Sequence, residues 1–196
     1  MNIFIVGMPE SGRTTVAKAL CQSKDYRHIH ATSWVKSTFR EQKAGEKPQQ
    51  YHDEYHTWVT NRLKNHPDMI IHNIYDSIDA YDSEVKNFVI DGIFSPRDFT
   101  QAFDYNKDIV IFLNRINNAA EYKDYENIGV SVIKDYCFWL SSADLLPKTR
   151  WLEYNFQIPG EESSFVKSLG SKNSVFIVKS INSAIEHIKQ NLLDQE

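Results

Sequence analysis

A glycine-containing turn directly after the first apolar run constrains the fold of this chain more than any other feature. Residues 2–6 read NIFIV, and residues 7–14 continue as GMPESGRT. Two glycines at this spacing let the backbone turn tightly enough for consecutive N–H groups to surround a phosphate. A helix that begins near Arg13 would point its positive end at the same anion. The sequence therefore predicts a strand, an anion-binding turn and a helix.

The residues of this turn match the phosphate-binding loop pattern with one substitution. Thr14 supplies a hydroxyl of the kind that ligates Mg²⁺, whereas Arg13 stands where the pattern has lysine. Arginine keeps the positive charge in a larger, planar group, so binding is expected to tolerate it better than turnover. A working kinase, a slow kinase and a nucleotide-binding module without turnover all remain open. The residues expected to hold a triphosphate donor are Gly7, Glu10, Ser11, Gly12, Arg13, Thr14 and Thr15.

Length, charge and cysteine content narrow the class of protein. A chain of 196 residues fits one domain with its own core. The two cysteines, Cys21 and Cys137, lack metal-type spacing and are expected to be reduced thiols in the cytoplasm. The formal net charge of −4 argues against broad attraction to nucleic acid or anionic membranes. We expect a cytoplasmic monomer or homodimer without membrane attachment.

Short apolar runs alternate with longer helical segments along the chain. This rhythm is typical of a parallel sheet with helices on both faces, so an α/β fold is predicted. Residues 67–72 are a weaker candidate for a sixth strand or a buried loop. Five strands are predicted at residues 2–6, 27–31, 87–91, 108–113 and 174–179, and helices at residues 14–22, 33–42, 51–65, 130–140 and 182–192.

A second informative run ends the third predicted strand. Residues 88–98 read FVIDGIFSPRD, so Asp91 and Gly92 close the strand and Arg97 follows a proline. This run resembles the third motif of nucleoside monophosphate kinases of the adenylate kinase type, and phage-type deoxynucleoside monophosphate kinases show a similar pattern. Residues 26–33 and Arg40 are similar to the family's second strand and the helical arginine beyond it. The resemblance covers roughly residues 1–115.

The resemblance implies a P-loop NTPase fold of the nucleotide kinase type. It implies one kinase domain over residues 1–196, with an acceptor-binding insertion at about residues 32–86 and a lid-like region at about residues 115–170. ATP would be the donor, and Mg²⁺ would be held by Thr14 and, through water, by Asp91. The other implied site residues are Arg40 and Arg97 for the acceptor phosphate, Thr32 and Ser33 for the acceptor nucleoside, and Arg115 after the fourth strand.

Two features bear on the acceptor. Trp34 lies beside the implied nucleoside-binding residues, where an aromatic ring could stack on a base. Residues 31–35 offer no carboxylate to take a proton from a hydroxyl, which favours a phosphate acceptor such as a nucleoside or deoxynucleoside monophosphate. The alternatives are a kinase for a hydroxyl on a nucleoside or a hydroxymethylated DNA base, with Asp91 as base and DNA as partner, and a non-catalytic nucleotide-binding module.

Overall fold

A computed structural model describes residues 1–7, 11–22, 25–42, 52–81, 84–93, 96–115, 151–156 and 175–192. Within these ranges, six strands form one sheet in the order β2-β3-β1-β4-β5-β6, and every neighbouring pair is parallel. The strands are β1 (Ile3–Gly7), β2 (Tyr26–His30), β3 (Asn87–Asp91), β4 (Ile109–Asn114), β5 (Trp151–Phe156) and β6 (Val175–Val178). The helices are α1 (Arg13–Leu20), α2 (Ser33–Gln42), α3 (His52–Asn65), α4 (Met69–Asp79), α5 (Pro96–Ala102) and α6 (Ile181–Leu192).

Strands β1 and β4 are buried along their whole length because helices cover both faces of the sheet. Side chains alternate along β1, so Phe4 and Val6 pack in one core and Ile3 and Ile5 in the other. The first core includes residues of α2, α4 and α5, and the second is closed by α1 and α6. The predicted fold class, an α/β parallel sheet flanked by helices, is confirmed.

Within the described residues the sheet has one strand more than the five predicted, because β5 was not expected. Its sequence, WLEYNF, contains the polar residues Glu153 and Asn155, which nonetheless lie buried in the sheet. Residues 67–72, the weaker strand candidate, instead contain the start of α4, which begins at Met69. Met69, Ile70, Ile71 and Ile74 are the buried residues of that helix and form a helical stripe. The predicted helix at residues 130–140 lies outside the described residues.

A buried carboxylate ties together the amino ends of the central strands. Asp108 is fully buried, and its Oδ1 accepts a hydrogen bond from the Asn2 N–H at 2.7 Å. Its Oδ2 accepts another from the Asp104 N–H at 3.0 Å. The side chain of Asn2 in turn accepts the Phe88 N–H at 3.1 Å. The starts of β1, β3 and β4 are therefore joined by side-chain hydrogen bonds as well as by the sheet.

Within the described ranges, none of the six helices combines the length and the apolar character that crossing a membrane requires.

Candidate functional site

The predicted glycine turn connects β1 to α1 at the carboxyl edge of the sheet. Gly7 and Gly12 have φ angles of +152° and +96°, a region that side-chain-bearing residues rarely adopt. A Cβ atom on Gly7 would lie 2.6 Å from the Leu113 carbonyl oxygen and 2.7 Å from the Ser11 Oγ. The turn therefore runs so close to β4 that only glycine fits. Residues 8–10, including Glu10, lie outside the described residues.

Two polar side chains of the turn have informative surroundings. Ser11 is fully buried, and its hydroxyl has no hydrogen-bond partner among the described residues. Buried hydroxyls are normally paired, so an oxygen of a ligand held by this glycine turn is a candidate partner for Ser11. Arg13 donates from Nη1 to the Gly7 carbonyl oxygen at 2.9 Å. Its guanidinium therefore lies against the backbone of the turn itself.

Thr14 and Asp91, the two residues implied as magnesium ligands, are in contact. They are 77 positions apart, yet Thr14 Oγ1 donates to Asp91 Oδ2 at 2.8 Å. The contact forms because β3 pairs with β1, which places the end of β3 beside the first turn of α1. Thr14 is exposed, whereas Asp91 is only 1% exposed. Thr15, another expected donor-binding residue, is also exposed in this turn of α1.

Two histidines of β2 also contact Asp91. His28 Nε2 lies 2.9 Å and His30 Nδ1 lies 2.8 Å from Asp91 Oδ1. Burial acts to raise the pKa of Asp91, but the hydrogen bonds from His28, His30 and Thr14 outweigh it and hold that pKa well below the usual range. Asp91 is therefore ionised at neutral pH. The alternation of His28 and His30 along a strand predicts structural residues or neighbours of the acceptor pocket, and it places both side chains on one face of the sheet. Their contact with Asp91 was not predicted.

We expect acid to weaken the contribution of Asp91 to folding. A carboxyl group with a depressed folded-state pKa stabilises the fold above its unfolded pKa, at about pH 4, and this stabilisation is lost as pH falls toward the folded value. The free energy of unfolding of the wild type should exceed that of Asp91→Asn at neutral pH. Urea titrations should show the difference narrowing below about pH 4. A difference that stays constant into that acid range would contradict the assignment.

The donor set fits a magnesium-bound triphosphate. Mg²⁺ takes oxygen ligands and is held in proteins by one or two carboxylate or hydroxyl groups together with phosphates and water. Thr14 and Asp91 supply such oxygens beside a turn with an unpaired buried hydroxyl at Ser11. In the part of the chain that the structure describes, no group of three His, Cys, Asp or Glu residues is arranged to hold a metal without a ligand's help.

The residues implied for the acceptor lie around the end of β2 and the start of α2. Thr32 is half-buried, and its Oγ1 lies 3.4 Å from His30 Nε2. Ser33 is exposed, and the Trp34 side chain is 40% exposed. Trp34 lines a cleft of about 540 Å³. The other lining residues are Arg62, Asn65, His66, Pro67, Asp68, Met69, His72, Asn73 and Asp76.

Arg62 is the cleft residue that the sequence analysis missed. Its Nε is buried without a hydrogen-bond partner among the described residues, and its guanidinium lies 5.7 Å from the centre of the Trp58 ring. A buried guanidinium nitrogen without a partner is a candidate donor to an anion. The signal in the sequence was weak, because Arg62 sits among polar residues of α3 with no motif around it.

The other implied arginines have different surroundings. Arg97, at the start of α5, pairs with Asp68 at 2.5 Å, and Asp68 lines the cleft. Arg97 is therefore near the cleft with its guanidinium bound to a carboxylate. Arg115 follows β4 and lies 5.8 Å from the centre of the Phe156 ring. The side chain of Arg40 lies outside the described residues.

No family model matches this sequence, and no curated protein matches it. A thymidylate kinase structure from Candida albicans aligns with 99% of this chain and 91% of its own, at 12% identity and a TM-score of 0.43. A shikimate kinase structure from Acinetobacter baumannii, in complex with shikimate, covers the same shares at 13% identity and a TM-score of 0.41. At these values both comparisons describe a likeness of fold and assign no substrate to this chain.

Proposed function

We propose that this protein is an ATP-dependent phosphotransferase whose acceptor is a nucleoside or deoxynucleoside monophosphate. The observation that carries the proposal is the contact between Thr14 and Asp91 beside the glycine turn. It brings together a hydroxyl of the kind that ligates Mg²⁺ and an ionised carboxylate, beside a glycine turn whose backbone is suited to an anion. Each of these groups has a use in phosphoryl transfer, which depends on positioning and charge neutralisation.

The residues of the donor side would act together on the triphosphate. The backbone of the turn and the Ser11 hydroxyl would bind phosphate oxygens, and Arg13 would offset their charge. Thr14 can donate its hydrogen to Asp91 and still offer an oxygen lone pair to a metal. Asp91, which stays ionised, would hold the metal's water ligands. When bound, Mg²⁺ would neutralise charge on the β- and γ-phosphates.

The state of Asp91 bears on the choice of acceptor. A general base works best when its pKa lies near the operating pH, and the pKa of Asp91 is held well below the usual carboxyl range. Asp91 is therefore a poor base for a hydroxyl acceptor and a good partner for a cation. This favours an acceptor that is already anionic, since a phosphate needs no base.

The cleft beside Trp34 supplies groups that suit a nucleotide. Its exposed indole ring can stack on a base, and the guanidinium of Arg62, which lines the cleft, can donate to a phosphate. His66 and His72 offer further polar contacts along the wall. Arg97, bound to Asp68, would need to exchange that carboxylate for a substrate phosphate in order to act on the acceptor.

A phosphoryl-transfer screen tests the proposal. Purified protein with ATP and Mg²⁺ is assayed against every ribo- and deoxynucleoside monophosphate, free hydroxymethylated nucleosides, and single- and double-stranded DNA with and without hydroxymethyl bases. Formation of a diphosphate from a free monophosphate supports the proposal. Phosphorylation of a hydroxyl or of DNA, or tight ATP binding with no product from any acceptor, would overturn it.

Substitutions of Arg13 test the donor side. We expect Arg13→Ala to lower turnover by roughly 10²- to 10³-fold, because it removes the only side-chain cation of the turn sequence and its hydrogen bond to Gly7. Arg13→Lys should keep or raise turnover, since lysine restores a compact charge. Steady-state kinetics with saturating acceptor gives the comparison. Lys18→Ala, which removes an exposed cation from the same helix, is the control. Equal losses in both Arg13 variants would show that guanidinium geometry is required.

A further inference from the structure

The Asp91 carboxylate is held by donors on both of its oxygens. An ionised carboxylate only accepts hydrogen bonds, so the contacting nitrogens, Nε2 of His28 and Nδ1 of His30, must carry hydrogens. Both histidine contacts are to Oδ1, at 2.9 and 2.8 Å, and this uses both lone pairs of that oxygen. Oδ2 accepts only the Thr14 hydroxyl among these contacts. Among these contacts, Oδ2, the oxygen that faces Thr14, is therefore the one that can still accept a further hydrogen bond or bind a cation.

The sheet fixes the two histidine rings in this arrangement. His28 and His30 lie opposite Val89 and Asp91 in the parallel register of β2 and β3. Their side chains are 18% and 25% exposed, and the rings stack with centres 6.4 Å apart. The Ala31 N–H donates to the Asp91 carbonyl oxygen at 2.8 Å and holds the strand ends together. The imidazole donors are thus placed by regular backbone structure.

The absence of a side chain at Gly92 makes room for the His30 ring. The φ angle of Gly92 is +85°, and a Cβ there would lie 2.7 Å from His30 Nδ1 and 2.8 Å from Cε1. Nδ1 is the nitrogen that contacts Asp91. A side chain at position 92 would therefore displace the ring from the carboxylate. On its other side, His30 Nε2 lies 3.4 Å from the Thr32 hydroxyl, so the same ring also contacts the acceptor side of the site.

We infer that His28 and His30 are positioning residues that turn the Asp91 carboxylate toward Thr14 for metal binding, with Gly92 providing the room for His30. The inference rests on the proposed binding of a magnesium nucleotide. It assigns a role to two residues that belong neither to the glycine turn nor to the Asp-Gly motif at the end of β3. Groups that orient a metal-binding side chain typically change metal affinity or activity by roughly 10- to 100-fold when removed.

Paired substitutions separate this role from packing alone. His28→Gln and His30→Asn keep an amide N–H near the position of the contacting nitrogen, whereas His28→Leu and His30→Leu remove the donor. Calorimetry measures the affinity for a non-hydrolysable ATP analogue with excess Mg²⁺ and, separately, with EDTA. We expect the leucine variants to bind the analogue roughly 10- to 100-fold more weakly than wild type when Mg²⁺ is present. Their affinity in EDTA should be unchanged. The amide variants should bind with an affinity close to that of wild type under both conditions.

Two further variants test whether the effect is specific to the contacts with Asp91. His187→Leu makes the same chemical change on α6, where the histidine contacts Tyr154 and Phe176, and should leave the magnesium dependence unchanged. Gly92→Ala keeps both histidines but pushes on His30, and should reduce the magnesium-dependent affinity as His30→Leu does. Circular dichroism and thermal melts check that each variant is folded.

The outcomes distinguish this inference from the proposed function. A wild-type protein that binds no magnesium nucleotide overturns both. A wild type that binds it, with folded leucine variants that show the same magnesium dependence, overturns the inference and leaves the proposed function standing. Failure of the folded amide variants to restore the affinity also overturns it, because their N–H groups would then not replace those of the histidines.

Discussion

Gly7→Ala is expected to lower the free energy of unfolding by roughly 2 to 6 kcal/mol and to abolish nucleotide binding. Two effects combine. The φ angle of +152° is unfavourable for alanine, and the new methyl group would lie 2.6 Å from a backbone oxygen of β4. That oxygen belongs to Leu113, which pairs with Gly7 in the centre of the sheet and cannot move away without breaking the strand pairing.

Gly12→Ala provides the matched comparison. Its φ angle of +96° also disfavours alanine, but the contact at 2.5 Å is with the Cδ1 atom at the end of the Ile181 side chain. A flexible methyl terminus can shift where a sheet carbonyl cannot, so we expect the smaller loss of stability at this position. Urea denaturation gives both free energies, and calorimetry with an ATP analogue gives both affinities. A larger loss in Gly12→Ala would show that the close approach to β4 is not the controlling contact.

The second large effect is expected from Asp91→Asn. Asparagine keeps the shape of the side chain but removes its charge and turns one acceptor oxygen into a donor. That donor must face either the histidine N–H groups or the Thr14 hydroxyl, all of which need an acceptor. We expect turnover at saturating ATP to fall by roughly 10²- to 10³-fold, because the metal loses its anionic partner and the developing phosphate charge is then less well neutralised by the metal.

The magnesium dependence of this loss identifies its cause. Turnover of the variant is measured over a range of Mg²⁺ concentrations, and the concentration for half-maximal rate should rise relative to wild type. Asp79→Asn, at the exposed end of α4, removes an equal charge from the surface and should change neither value. Full activity of Asp91→Asn would remove the carboxylate from the proposed mechanism and with it the main support for a kinase.

The features predicted from the sequence are those encoded in short stretches of it. The turn between Gly7 and Thr14 has its own spacing, and apolar runs mark five of the six strands in the described part of the chain. Strand β5 could not be recognised in the same way. Glu153 and Asn155 interrupt its apolar pattern, and their burial depends on neighbouring strands that the local sequence does not specify. Residues 67–72 are apolar enough for a strand, and only the continuing stripe to Ile74 favours a helix.

The residues of the candidate site also fall into those that a short motif predicts and those that it does not. Thr14 and Asp91 were paired by the resemblance to nucleotide kinases, and the structure brings them together. The histidine contacts depend on the register of β2 against β3, which no short motif reports. The partner of Arg97 likewise depends on where α4 begins, since Asp68 precedes that helix. Groups that belong to a short motif could therefore be predicted from the sequence, and groups whose contacts depend on long-range register could not.

The carboxylate of Asp108 has a consequence for how substitutions in this protein will sort. It binds backbone N–H groups at the amino ends of the strands, the opposite end of the sheet from Asp91. Loss of its charge would weaken strand association while leaving the glycine turn after β1 chemically intact. Substitutions of Asp108 should therefore appear in a survey of variants that fail to fold, and should be absent from a survey of folded variants that have lost activity.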